Sequence, residues 1–409
     1  MEFICRHCKT PLKNKILDLG NHPPSNAYLK REELFLPEIT YPLKVFLCSN
    51  CWLTQIPEYI KPDNLFTPEY AYFSSTSSSW CNHAKKYVNN AISRLSLDKN
   101  SFVLEIASND GYLLQYVKDK KIQCLGIEPS VKTANEAERK GINTIKEFFG
   151  ESLSLDLLNM GKVPEKGCDL VVANNVLAHV PNINDFIKGV ANILSENGTF
   201  TVEFPHIVEL LKFNQFDTIY HEHYSYLSLL FLKRLCEMAG LSIYDVEKIN
   251  THGGSLRVWI RKNNKTIVSE NVENIILQEK NFGIDDFGAY EHLQKKAEDI
   301  KLSLLNFLVN KKKRNLKVAG YGAAAKANTM LNFAGVKSDL IDMIADKSKS
   351  KQGLFMPGSH IPIVDPQQLA QRNISDYIVF PWNLYEEISK EFNSKNLITF
   401  IPGFKQSKC

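Results

Sequence analysis

The densest group of reactive side chains is Tyr220-His221-Glu222-His223-Tyr224-Ser225-Tyr226, with two imidazoles, a carboxylate and three phenols within seven residues. An imidazole titrates near neutrality, so it can take up or release a proton when a neighbour orients it. If the segment is extended, Tyr220, Glu222 and Tyr224 share one face. If it is helical, Tyr220, His223 and Tyr224 cluster instead. Either arrangement supplies acid–base chemistry; a satisfied polar loop is the bland alternative, and His-x-His lacks a third metal ligand. His179 follows the strand-like run ending at Ala173, at the sheet edge where open α/β proteins bind ligands. A lone loop histidine is more often structural. Tyr72, in Glu69–Ser77, belongs to a linker whose tyrosines either cap the cleft or form a surface loop.

Cys5-x-x-Cys8 and Cys48-x-x-Cys51 each offer two thiolates to one tetrahedral ion, with 39 residues between the pairs. Four thiolates close the coordination sphere, so zinc here is expected to be structural. The long intervening loop must carry strands, and Tyr41–Leu47 reads as one. The other five cysteines lack partner spacing and read as small apolar residues.

Glu105-Ile-Ala107-Ser-Asn109-Asp-Gly111 leaves a strand and enters a helix. It carries one glycine, not the three of a dinucleotide fingerprint. Glu128 ends the next strand, where a carboxylate can accept both ribose hydroxyls. The pattern is similar to the S-adenosylmethionine (SAM) site of class I methyltransferases. That resemblance assigns Glu105, Ala107, Asn109, Gly111, Glu128 and Asn174 to the cofactor; Phe149 stacks on adenine or packs in the core. A second turn, Gly320-Tyr321-Gly322-Ala323-Ala324-Ala325-Lys326, also opens a helix. With Tyr321, Lys326 and Lys351 it suits a pyrophosphate. His252 and Arg257 are candidates for shaping the cleft.

The elements that must position these groups form an α/β chain. Of 409 residues, 49 are Lys or Arg and 45 Asp or Glu, a net charge of +4 that gives no argument for nucleic acid. No apolar run is long enough for a bilayer, and the N-terminus lacks signal-peptide features, so a cytoplasmic protein is expected. Apolar strands alternate with helical runs from Ser101 to Lys262 and from Leu316 to Pro402, which implies parallel sheets buried on both faces. A long helix is expected over Val272–Lys311, a strand over Leu340–Ile344, and a solvated helix end at Lys311–Arg314. The domains divide as 1–67, zinc-binding; 68–262, a class I SAM-methyltransferase Rossmann-like domain; and 263–409, a Rossmann-like α/β domain.

Seven segments in order make the chain resemble the nucleotide-sugar C-methyltransferases of deoxysugar biosynthesis. They are the four cysteines, Tyr70–Ser75, Glu105–Gly111, Asn174–Val180, Tyr220–Ser225, Thr251–Arg257 and Gly320–Lys326. The resemblance implies bound SAM and structural zinc, and methylation at C-3 of a 4-keto-6-deoxy sugar, with dTDP the expected nucleotide ahead of GDP or CDP. It implies His223 as base, with Tyr220, Glu222, His179 and Tyr72 around the reacting carbons. A self-contained cleft suggests a monomer. The competing readings are an NAD-linked nucleotide-sugar oxidoreductase, kept open by Asp346 beyond Gly322, and a zinc-ribbon binding module.

Overall fold

The computed structural model describes residues 3–65, 73–262, 267–370, 372–391 and 396–407. Near the N-terminus, β1 (Asn14–His22), β2 (Tyr41–Leu47) and β3 (Thr54–Gln55) pair antiparallel. Leu43, Val45 and Leu47 alternate onto the buried face of β2, and Pro42 stands at the strand's start, where a missing amide is tolerated. A helix over Ser78–Leu95 follows, its first turn capped by the Ser77 hydroxyl accepting from the Trp80 amide.

The central sheet uses β4 (Phe102–Ile106), β5 (Gln123–Ile127), β6 (Thr144–Ile145), β7 (Cys168–Asn174) and β8 (Leu194–Pro205), all parallel. Every residue of β4 is buried, as a central strand covered on both faces requires. The two-residue β9 (Ser225–Tyr226) leaves this sheet and pairs with β3, completing the N-terminal sheet. A hairpin of β10 (Ser242–Ile249) and β11 (Ser255–Arg261) returns, with β11 antiparallel to β8. The order is β10-β11-β8-β7-β4-β5-β6.

The last sheet takes β12 (Val318–Tyr321), β13 (Ile344–Ala345), β14 (Ile363–Val364), β15 (Asp376–Val379), β16 (Leu397–Thr399) and β17 (Lys405–Gln406) in the order β14-β13-β12-β15-β16-β17. Only β17 runs antiparallel.

Three expectations are corrected. The single helix is two, Glu270–Phe282 and Leu293–Lys313, because Gly283 takes φ +89° and ends the first in a left-handed cap. The strand expected over Leu340–Ile344 pairs only from Ile344, because the Leu340 and Ile341 amides bond back to the Lys337 carbonyl and close a turn. Lys311 is not a solvated helix end; its Nζ lies 2.6 Å from the buried carboxylate of Asp376. Among the described residues, no helix is long and apolar enough to cross a membrane.

Candidate active site

The turn after β4 has a left-handed backbone at three positions, Ala107, Asn109 and Gly111, with φ +54°, +50° and +75°. Only Gly111 needs to be glycine for space, since a Cβ there would lie 2.4 Å from Ile142 Cδ1. Glu128 fixes the turn: its Oε2 accepts from the Asn109 amide at 3.0 Å and its Oε1 from the Ser130 amide at 2.8 Å. Glu105 lies beneath. Burial, with Asp110 and Glu128 nearby, holds its carboxyl well above the usual range. Asn109 Oδ1 accepts from the Ser74 amide, and Asp110 from Ser75, so the linker is tied to this turn. Asn174 ends β7 on the same edge of the sheet. Phe149 packs edge-on against Phe186 at 5.5 Å, so the core-packing alternative describes its visible contact.

These residues fit SAM. Glu105 Oε2, Asp110 Oδ1 and Asn174 Oδ1 are buried without a partner among the described residues. Three carboxyl groups stand here, and among the described residues Lys140 lies 3.3 Å from Asp110. A ligand with sulfonium and ammonium charges complements such a site; a pyrophosphate does not.

Across the same edge lies the segment from Asp217 to Tyr226, neither strand nor helix at its centre. The His223 amide bonds the Tyr220 carbonyl at 2.9 Å, closing a turn that brings the two side chains together. The Thr218 carbonyl, which only accepts, lies 2.9 Å from His223 Nδ1. Nδ1 therefore carries the proton, and Nε2 accepts from the Tyr220 hydroxyl at 2.9 Å. Burial, reinforced by His179 and then by His252 and Lys326, drives the His223 pKa well below 6.5, so the ring is neutral. His179 packs 4.7 Å from it, and His179 Nδ1 donates to the Glu222 carbonyl at 2.7 Å. Burial lowers the His179 pKa to about 4, and Nε2 is its lone-pair nitrogen. His179, Tyr220 and His223 are half-buried while Glu222 is enclosed. Tyr72 lies outside the described residues.

The loop is held from two sides. The N-terminal domain bonds the Tyr224 carbonyl through the Ile56 amide, accepts the Tyr224 hydroxyl at the Ile60 carbonyl, and meets His221 at the Pro42 carbonyl. From the C-terminal domain, the Thr329 hydroxyl donates to the Ile219 carbonyl, and Trp382 Nε1 donates to buried Asp217 at 2.8 Å. Burial pushes the Asp217 carboxyl up to about 6.

Lys326 opens the helix Ala325–Ala334 but does not stand apart in a remote phosphate turn. It donates to Asn383 Oδ1 at 2.7 Å and lies 3.9 Å over the Trp382 ring. Burial lowers its pKa to about 8, against Asp217, which raises it. It is also among the charges that act on His223 and His252. Lys351 Nζ donates to the Ala323 carbonyl at 2.8 Å and sits 3.7 Å from Asp346. Tyr321 is buried in the core of that domain. His252, at φ +53°, meets Trp80 edge-on at 5.1 Å. Arg257 is engaged by Glu203 at 2.6 Å and Glu247 at 3.2 Å. With His83, Lys86, Asn90, Asn250 and Thr251 it lines a cavity of about 500 Å³.

At the other end of the chain, the sulfurs of Cys5, Cys8, Cys48 and Cys51 lie within 4.8 Å of one another. Cys5–Cys51 and Cys8–Cys48 are each 3.5 Å apart, near the ~3.8 Å edge of a tetrahedron with 2.3 Å zinc–sulfur bonds. Gln55 Nε2 reaches Cys5 Sγ at 3.1 Å, a polar contact beyond the four thiolates. The donor set fits zinc and leaves no open position.

Sequence reasoning missed Asp217, Trp382, Asn383, Ser25 and Asn26. Pro23-Pro24-Ser25-Asn26 reads as a turn, but nothing local ties it to a carboxylate almost two hundred positions on.

Three family models match in series: a zinc binding domain over residues 5–66, a methyltransferase domain over 81–246 and a C-methyltransferase C-terminal domain over 250–401. The C-methyltransferase NovU of Streptomyces niveus is 32% identical over 404 residues, covering 97% of this chain and 95% of that protein. Among solved structures, a SAM-dependent methyltransferase of Thermotoga maritima, described as a possible histamine N-methyltransferase, aligns at 16% identity and TM-score 0.33, over 44% of this chain and 99% of its own. Magnesium protoporphyrin IX methyltransferase of Synechocystis aligns at 14% and 0.35, over 45% and 83%. The near-full-length match to NovU, with the three domain models in one order, shows that the chain belongs to the C-methyltransferase family and is a SAM-dependent C-methyltransferase.

Proposed function

We propose that this enzyme methylates C-3 of a nucleotide-linked 4-keto-6-deoxy sugar, with dTDP the preferred nucleotide, through an enolate. The observation that carries the proposal is the chain from the Thr218 carbonyl through His223 to the Tyr220 hydroxyl. It supplies a neutral imidazole whose lone pair already meets a phenol. The C-4 ketone acidifies the C-3 hydrogen. His223 takes that proton, directly or by relay through Tyr220, and the electron pair moves onto the ketone oxygen. Loss of a general base typically costs 10²–10⁴-fold in rate. Glu222 supports this pair. His179 packs against the His223 ring, beside the proposed base. The developing oxyanion falls to Tyr72.

Glu105, Ala107, Asn109, Gly111, Glu128, Phe149 and Asn174 are the residues proposed to hold SAM, which supplies an electrophilic methyl that C-3 attacks with loss of S-adenosylhomocysteine. Lys326, Lys351 and Tyr321 are proposed for the diphosphate side of the substrate, with His252 and Arg257 shaping the cleft.

The test is incubation with SAM and dTDP-, GDP- and CDP-linked 4-keto-6-deoxy sugars, read by mass. A gain of one methylene, lost in His223→Asn, is expected. Near-normal turnover by His223→Asn contradicts the assignment of the base.

A further inference from the structure

The enclosed part of the Tyr-His-Glu-His loop is gripped by a different domain. Ser25, 1% exposed in the turn after β1, donates its hydroxyl to Glu222 Oε1 at 2.7 Å, and Asn26 Nδ2 donates to the same oxygen at 2.9 Å. Glu222 is 1% exposed, and its Oε2 has no partner among the described residues. A buried carboxylate without a cation is costly, so a purely structural tie would be better served by a neutral amide. The groups around it are Tyr28 from the same N-terminal segment, Tyr226 on β9, His179 at the Glu222 carbonyl, and His221 and His223 in its own loop. Lys351 lies beyond Tyr28, 5.3 Å from its ring.

We propose that the Ser25–Asn26 turn of the zinc domain is a positioning element of the catalytic site, fixing one oxygen of Glu222 and leaving the other uncommitted. This deepens the proposed function and rests on Glu222 belonging to the catalytic group. Burial raises the Glu222 pKa, while the Ser25 and Asn26 donors lower it. Removing the donors must therefore move protonation to higher pH.

The experiment is a pH titration of the Glu222 carboxyl band by infrared difference spectroscopy on the zinc-loaded, full-length protein, with Glu222→Gln identifying the band. In Ser25→Ala/Asn26→Ala the midpoint is expected to rise by about one pH unit. The acidic limb of kcat, measured with SAM and a dTDP-4-keto-6-deoxy sugar, should rise with it. SAM affinity should stay unchanged, and Ser25→Thr should restore the wild-type limb. If the double variant does not fold, Asn26→Ala, which keeps the Ser25 donor, should show a smaller shift in the same direction. An unmoved midpoint, or a moved midpoint with an unmoved limb, overturns the proposal. Normal turnover by Glu222→Gln overturns it through the reading on which it rests, and the infrared arm tells the two failures apart.

Discussion

The chain contains the same small device twice, in different charge surroundings. After β4, Glu128 at the end of the neighbouring strand accepts from the Asn109 turn amide and from Ser130 two residues on. After β12, Asp346 accepts from the Ala323 turn amide at 2.8 Å and from Ser348 two residues on, also at 2.8 Å. The backbone logic is shared: a strand-end carboxylate pins the turn that opens the next helix. The surroundings differ. Glu128 stands among Glu105 and Asp110, whereas Asp346 has Lys351 at 3.7 Å and Lys326 opens the following helix. One turn is left negative and suits a cationic cofactor; the other is neutralised and suits an anionic substrate. Fold alone does not choose the ligand; the charges placed around a common turn do.

The largest contrast should come from zinc. Metal bound at four thiolates contributes on the order of 10 kcal/mol to folding of its domain. Chelation should unravel β1–β3, release β9 and abolish turnover, while amides of the β12–β16 sheet stay protected from hydrogen exchange. Next is Glu128→Ala, which strands two amides and removes the proposed ribose acceptor. Titration calorimetry should show SAM binding weaker by ~10²-fold, with the KM for the nucleotide-sugar little changed. The converse is Lys326→Ala, for which KM for the nucleotide-sugar should rise about tenfold while SAM affinity holds. An unchanged KM would remove Lys326 from the substrate side.

The mildest contrast is in pH. Burial lowers the pKa of His22, His179, His221 and His252 to about 4 from 6.5, and all four stand on strands or connections of the β1–β11 part of the chain, none in the β12–β17 sheet. Between these values the unfolded chain binds more protons than the folded one, so stability is full above pH 6.5 and falls as pH drops towards 4. Hydrogen exchange at pH 5 should loosen the β1–β11 part before the β12–β17 sheet.

Much of this organisation was legible in the residues. The strands of both parallel sheets follow from unbroken apolar runs; Ser255–Arg261, whose alternation suggests a half-exposed strand, is a strand over those residues but with six of its seven buried. The paired cysteines announced their metal because ligand spacing is local. The loop proposed to be catalytic was legible only as a composition. Its conformation is a turn imposed by Thr218, Ile56, Thr329 and Trp382, residues spread over all three domains, and periodicity carries no trace of such contacts. Lys326 shows the same limit. Its place at a helix start was readable, but its approach to His223 depends on how two domains close on one another. The break at Gly283 was missed because apolar spacing continues on both sides, while the glycine's left-handed cap leads into a turn and a short 3-10 helix over Phe287–Tyr290 before the second helix begins.

The most direct test of the enolate account is proton exchange without methyl transfer. The enzyme, with S-adenosylhomocysteine in place of SAM, is incubated with a dTDP-4-keto-6-deoxy sugar in deuterium oxide, and the C-3 position is followed by NMR. The account predicts enzyme-dependent deuterium uptake at C-3, lost in His223→Asn. Uptake no faster than in buffer, or equally fast in His223→Asn, would contradict it.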